Sequence, residues 1–281
     1  MTSLSRLSRR ALILVASVLA CLLLGACQDR DGASRTPAAT AASRQPIPST
    51  PRAQLKDELE TTSDHIIGIS YPTGLARYPG LAAEAQRYAT QARQQVLDAV
   101  KQRPPKAGDG PYELSLEFKL KHESPTMVVL AVDGSAYTGG AHGTPLIQRW
   151  VWLPPRNRRL TAADLFPQPS SWERIAGDVR TQLHAELEQR LDADKVAPGE
   201  RAAAIKSASA LIEGGTEPDP SDFAVFEPVL DGDGKIMALR FIVPPYQVGT
   251  YADGMRTVEL PAARLVQDVA PAYRPLFEAT G

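Results

Sequence analysis

The chain has 281 residues, carries 31 Lys+Arg against 32 Asp+Glu, and contains two cysteines, Cys21 and Cys27. Such a near-neutral balance leaves no electrostatic footprint for nucleic acid. With no cysteine after Cys27, the rest of the chain has no thiol nucleophile, iron–sulfur centre or Cys-type zinc site.

The first 26 residues read as a secretory leader. Arg6, Arg9 and Arg10 form a positive start, and the run "ALILVASVLACLLL" follows, too short and too early for a spanning helix. The junction "LGAC" resembles a bacterial lipobox, which implies cleavage before Cys27 and acylation of that cysteine. Two or more acyl chains make a stable anchor, at about 0.8 kcal/mol per buried methylene. Gln28 follows Cys27 in place of the Asp that retains lipoproteins at the inner membrane, so by analogy the expected location is periplasm-facing on the outer membrane. Without the leader's three arginines the chain carries 28 basic residues against 32 acids, a net of −4. Residues 27–60 are expected to be the lipidated cysteine and a disordered tether rich in Pro, Ala, Ser and Thr.

Folded structure is expected from about Asp64. "HIIGISYP" reads as a strand stopped by Pro72, and a helix opens at Pro79, whose fixed φ suits a first helical turn. Leu81, Ala85, Tyr88, Ala92, Val96 and Val100 mark its apolar face. "YELSLEFKLKHE" alternates apolar and charged, the pattern of a half-buried strand. "TMVVLAVDGSAY" is apolar through its centre and reads as an interior strand; after a glycine-rich loop, "LIQRWVWLP" reads as another. Two capping-box patterns follow, Thr161-x-x-Asp164 and Ser170-x-x-Glu173, the second opening a helix buried through Trp172, Ile175, Val179, Leu183, Leu187 and Leu191. A further helix runs from about Pro198 to Glu213. Strands return with "DFAVFEPVLD", "KIMALRFIVP" and "MRTVELP", and "AARLVQDVAP" closes the chain as a short helix. Helices and strands in blocks predict an α+β fold, antiparallel sheets with helices packed on one face.

Few motifs suggest chemistry. "DGDGK" from Asp231 has Ile242 where a calcium loop needs its twelfth, acidic ligand, so a hairpin turn is the better reading. His65, His122, His142 and His184 lack metal-ligand spacing, and neither a Gly-x-Ser-x-Gly elbow nor a phosphate loop is present. No cofactor or metal is expected. What remains is "AYTGGAHGTP", residues 136–145, where glycines permit positive φ and close backbone approach. His142 there is either a structural latch, a contact to a partner, or a general base whose orienting carboxylate is not visible.

"YTGGAHG" followed by a strand and "LTAADLF", together with the later stretch Tyr246, Gly249, Tyr251, Gly254 before the final strand, resembles the extracytoplasmic region of the RsiV family. The similarity spans about residues 60–277, its first part resembling the small domain fused to some peptidoglycan deacetylases of the PdaC type. The resemblance implies a PdaC-like subdomain over 61–140, an RsiV-like subdomain over 141–281, and a non-enzymatic envelope domain. In RsiV proteins that domain senses lysozyme, but this chain has a lipoprotein leader where an anti-sigma factor has a sigma-binding segment and a spanning helix. The expected function is therefore binding of a lysozyme-like protein or peptidoglycan, with Tyr137, Gly139, Gly140, His142, Gly143, Trp150, Tyr246, Gly249, Tyr251 and Gly254 as a binding or structural loop set, whose aromatic residues are either contacts or core. The alternatives are an envelope hydrolase using His142 with an unidentified carboxylate, and a structural subunit of an envelope assembly.

Overall fold

The computed structural model describes residues 55–104 and 110–278; the leader, Cys27 and most of the expected tether lie outside them. Six strands form a mixed sheet in sequence order: β1 (Glu58–Thr61), β2 (His65–Ser70), β3 (Tyr112–Glu123), β4 (Val128–Tyr137), β5 (Thr144–Leu153) and β6 (Arg158–Leu160). Helix α1 (Pro79–Lys101) joins β2 to β3, which pair in parallel; the other pairs are antiparallel. The expected purely antiparallel arrangement thus gives way at one pair, because a long helical crossover returns the chain to the same end of the sheet. Short α2 (Ala162–Leu165), long α3 (Pro169–Ala193) and α4 (Pro198–Gly214) precede an antiparallel sheet of β7 (Phe226–Leu230), β8 (Ile236–Val243) and β9 (Arg256–Pro261), and α5 (Ala262–Leu265) follows it. The fold is α+β.

Two apolar cores stand on opposite faces of β4 and β5. Val128, Leu130, Val132, Trp150 and Trp152 pack toward α1, with Ile67, Leu114, Leu116, Phe118 and the small residues Ala82, Ala85 and Ala89. Met127, Val129, Val151 and Leu153 pack the other way, with α3 and the second sheet. This double burial is why the centre of β4 is apolar without alternation, whereas β3, open on one side, alternates. The expected subdomain boundary between residues 140 and 141 falls in the loop joining β4 to β5, two partners within one sheet. A buried ion network also crosses between the sheets. Arg149 on β5 donates to Glu227 on β7 (3.3 Å), to Asp133 (2.9 Å) and to the carbonyls of Val132 and Gln148, and Glu227 accepts in turn from Arg240 (2.8 Å).

Several local expectations need correction. Residues 58–60, expected as tether, belong to strand β1; its sequence "ELET", with Leu59 exposed, has no apolar face to reveal an edge strand. Strand β6 is likewise too short and basic to read from pattern. The Ser170/Glu173 capping box does not form: α3 starts at Pro169 with Gln168 at the cap making no side-chain bond, so both residues sit inside the first turns. The last helix ends at Leu265. The "DGDGK" segment, by contrast, is the hairpin turn expected, in which Asp231 accepts from the amides of Asp233 and Lys235 and Gly234 has φ +76°.

Candidate functional site

The glycine loop, residues 138–143, turns the chain between β4 and β5. Gly139 (φ +100°) and Gly140 (φ +91°) occupy backbone space that other residues rarely enter, so the glycines make the turn itself. Tyr137 fastens it, its hydroxyl donating to the Gly140 carbonyl at 3.1 Å. Gly143 has an ordinary φ, and a Cβ there would make only ordinary contact, 3.4 Å from the Ala136 carbonyl. The turn leaves His142 exposed at its tip.

There it meets the second motif of the sequence. The loop of residues 244–255, between β8 and β9, brings Tyr251 against His142, the rings stacked 4.4 Å apart and 8° from parallel. Tyr246 lies beyond, 5.7 Å from Tyr251 between centroids and tilted by 39°. Two loops distant in sequence thus combine into a row of three exposed rings.

That second loop is held from several sides. Asp253 accepts from the Thr250 amide (2.7 Å) and hydroxyl (2.8 Å), closing a capping box around a single turn that carries Tyr251. Its other oxygen takes Arg190 of α3, tying the turn to the helix. Burial pushes the Asp253 carboxyl up, but the Thr250 hydrogen bonds together with Arg190 and Arg256 outweigh it and hold its pKa below the usual value. The Gln247 side chain donates to the carbonyls of Gly215 (2.8 Å) and Asp222 (2.9 Å). A Cβ on Gly215 would stand 1.9 Å from the Gln247 carbonyl, so only glycine admits this approach. Between these anchors Tyr246 has φ +72°, a left-handed conformation that costs a bulky residue about 1–2 kcal/mol, and it is 57% exposed. Nothing in core packing accounts for a strained, exposed aromatic; strain of this kind gathers at functional sites.

The expected site residues divide cleanly. His142, Tyr246 and Tyr251 form the platform; Tyr137, Gly139, Gly140 and Gly143 shape the first loop, while Gly249, crowded by the Asp253 carboxylate, and Gly254 (φ +69°) shape the second. Trp150 does not join them. It is 3% exposed, stacked on Phe118 and edge-on to Tyr88, and belongs to the core beneath α1. Gln247, Gly215, Asp253 and Arg190 are the residues that sequence reading misses. One signal was available: Thr250-x-x-Asp253 repeats the Thr161-x-x-Asp164 pattern. The His142 ring hydrogen-bonds to no carboxylate among the described residues, and no group of His, Cys, Asp and Glu there is arranged to hold a metal. No described helix is long and apolar enough to cross a membrane.

No family model matches the sequence, and no curated protein matches it either. Solved structures do resemble the fold. A DUF3298 family protein from Pseudomonas aeruginosa PAO1 superposes with a TM-score of 0.52 at 16% identity, over 80% of this chain and 94% of that one. A DUF3298 family member from Bacteroides fragilis gives a TM-score of 0.43 at 16% identity, over 78% and 93%. The Pseudomonas structure shares the α+β fold of this chain.

Proposed function

We propose that this chain is a lipid-anchored, periplasm-facing binding protein of the cell envelope, without catalysis, that recognises a lysozyme-like protein or peptidoglycan through the His142–Tyr251–Tyr246 platform. One observation carries the reading: both loops of the RsiV-like resemblance converge on a single exposed aromatic row held by a prearranged backbone. Aromatic rings presented at fixed positions contribute contact area with little ordering cost, for a protein surface and a sugar ring alike. What speaks against a general base is the lack of an orienting carboxylate hydrogen-bonded to the His142 ring among the described residues, since the stack on Tyr251 leaves both ring nitrogens free in the ring plane.

The test is titration of the full chain in detergent with lysozyme and, separately, with purified peptidoglycan. The wild type should form a saturable complex with one of them, without turnover. Tyr251→Ala and Tyr246→Gly should weaken it at least tenfold, about 1.4 kcal/mol, while melting within a few degrees of wild type. Unchanged affinity in both variants would overturn the platform, and turnover lost in His142→Ala would restore the hydrolase.

A further inference from the structure

The inner side of the 244–255 loop faces a different feature, a cavity of about 200 Å³ between α3, α4 and the loop. Its floor is apolar, built from Leu183, Leu187, Ala208 and Val248, and Leu211 stands exposed at its edge. A dry apolar cavity of about 150 Å³ holds a benzene-sized group, so this one has room for a single apolar side chain. Two charges at its wall are less committed than their neighbours. Arg256 comes no nearer to a carboxylate than 3.7 Å, at Asp253 Oδ1, and that oxygen already receives Arg190. Among the described residues the Arg256 guanidinium donates no hydrogen bond, and Glu186, on the α3 face that carries Arg190, makes no ion pair.

We propose that this cavity binds the carboxylate-terminated end of a peptide whose last side chain is apolar. The side chain enters the apolar floor, the terminal carboxylate accepts from Arg256, and Glu186 receives a cationic group further along the peptide. Charge complementarity selects this occupant: an uncharged apolar ligand leaves Arg256 without an acceptor, and an acidic ligand without a cation leaves Glu186 unmatched. The same chemistry occurs at the C-terminus of a protein and at the D-alanine end of a peptidoglycan stem peptide. The cavity shares the Thr250–Asp253 turn with the aromatic platform, and the Arg256 variants tell the two sites apart.

The experiment titrates the full chain in detergent with three probes: a lysine-containing L-peptide ending in leucine, its C-terminal amide, and a stem peptide ending in D-alanine. One acid-form probe should bind saturably, and which one identifies the source. Amidation of the leucine peptide, or Arg256→Gln tested on the acid probe that binds, should weaken binding by roughly tenfold or more, the range of a charge-assisted hydrogen bond. Arg256→Lys should retain part of the affinity. Ala208→Phe, which fills the floor, should abolish binding with its melt checked alongside. The proposal is overturned if neither acid-form peptide binds, if acid and amide bind equally, or if Arg256→Gln leaves the affinity unchanged.

Discussion

The Thr-x-x-Asp box occurs at two places in this molecule and does two different things. At Thr161–Asp164 the carboxylate accepts from the Thr161 amide and hydroxyl and is clamped by Arg158 (2.5 Å); at Thr250–Asp253 the same bonds recur with Arg190 as the clamp. The first box delivers Ala162, Leu165 and Phe166 into the core, all at most 3% exposed. The second delivers Tyr251, which is 38% exposed and stacks on His142. The carboxylate bonds recur in the two turns, although only the Thr161 hydroxyl also accepts from its Asp amide, at 3.1 Å. What each turn points at makes one a piece of the fold and the other a presenter of side chains.

The comparison breaks most visibly at the aromatic residue each box carries. Phe166→Ala, which removes a fully buried ring, should cost about 3–5 kcal/mol in chemical denaturation. Tyr251→Ala should cost under about 1 kcal/mol by the same measurement, since its ring belongs to neither apolar core; equal losses would mean that the loop is core after all. Removing the caps sharpens the contrast. Thr161→Ala should lower stability by about 1 kcal/mol, whereas Thr250→Ala should lower it by less and show its main effect as weaker ligand binding. The smallest effect is in pH. Asp164 and Asp253 are both held below the usual carboxylate pKa: burial raises each, but Arg158 and the Thr161 bonds outweigh it at Asp164, as Thr250 and the arginines do at Asp253. A depressed folded pKa contributes stability above the unfolded value, about 3.9 for aspartate, which is lost as pH falls through the folded one. Melting temperature measured downward from about pH 5 should therefore fall more steeply in wild type than in Asp164→Asn or Asp253→Asn.

Much of the fold was legible because burial leaves a periodic trace. Alternation gave β3, the three- and four-residue spacing gave α1 and α3, and the unbroken apolar run of β4 announced burial on both faces. What stayed hidden lacks such a trace. Strand β1 is held by pairing to β2 rather than by an apolar face, and the Ser170/Glu173 pattern satisfies a rule that Pro169 pre-empts by starting the helix earlier. The candidate site was half legible. Glycines and aromatic residues marked both loops, but Trp150 looked no different from Tyr246 in sequence, and only packing separates a core ring from a surface one. The anchoring contacts of Gln247 to residues 215 and 222, and of Asp253 to Arg190, join distant segments and have no local signature.

The sharing of β4 and β5 between two cores bears on how the protein can be dissected. A fragment ending near residue 140 keeps β4 but loses β5, leaving one edge of β4 unpaired and Met127 and Val129 without the neighbours that cover them. An apolar strand with a free edge is a template for joining other copies. Excised in that way, the first half would be expected to precipitate, and a second half beginning at residue 141 would carry β5 with its Trp150 and Trp152 stripped of α1. The two halves of the sequence are therefore separable in description but not at the bench.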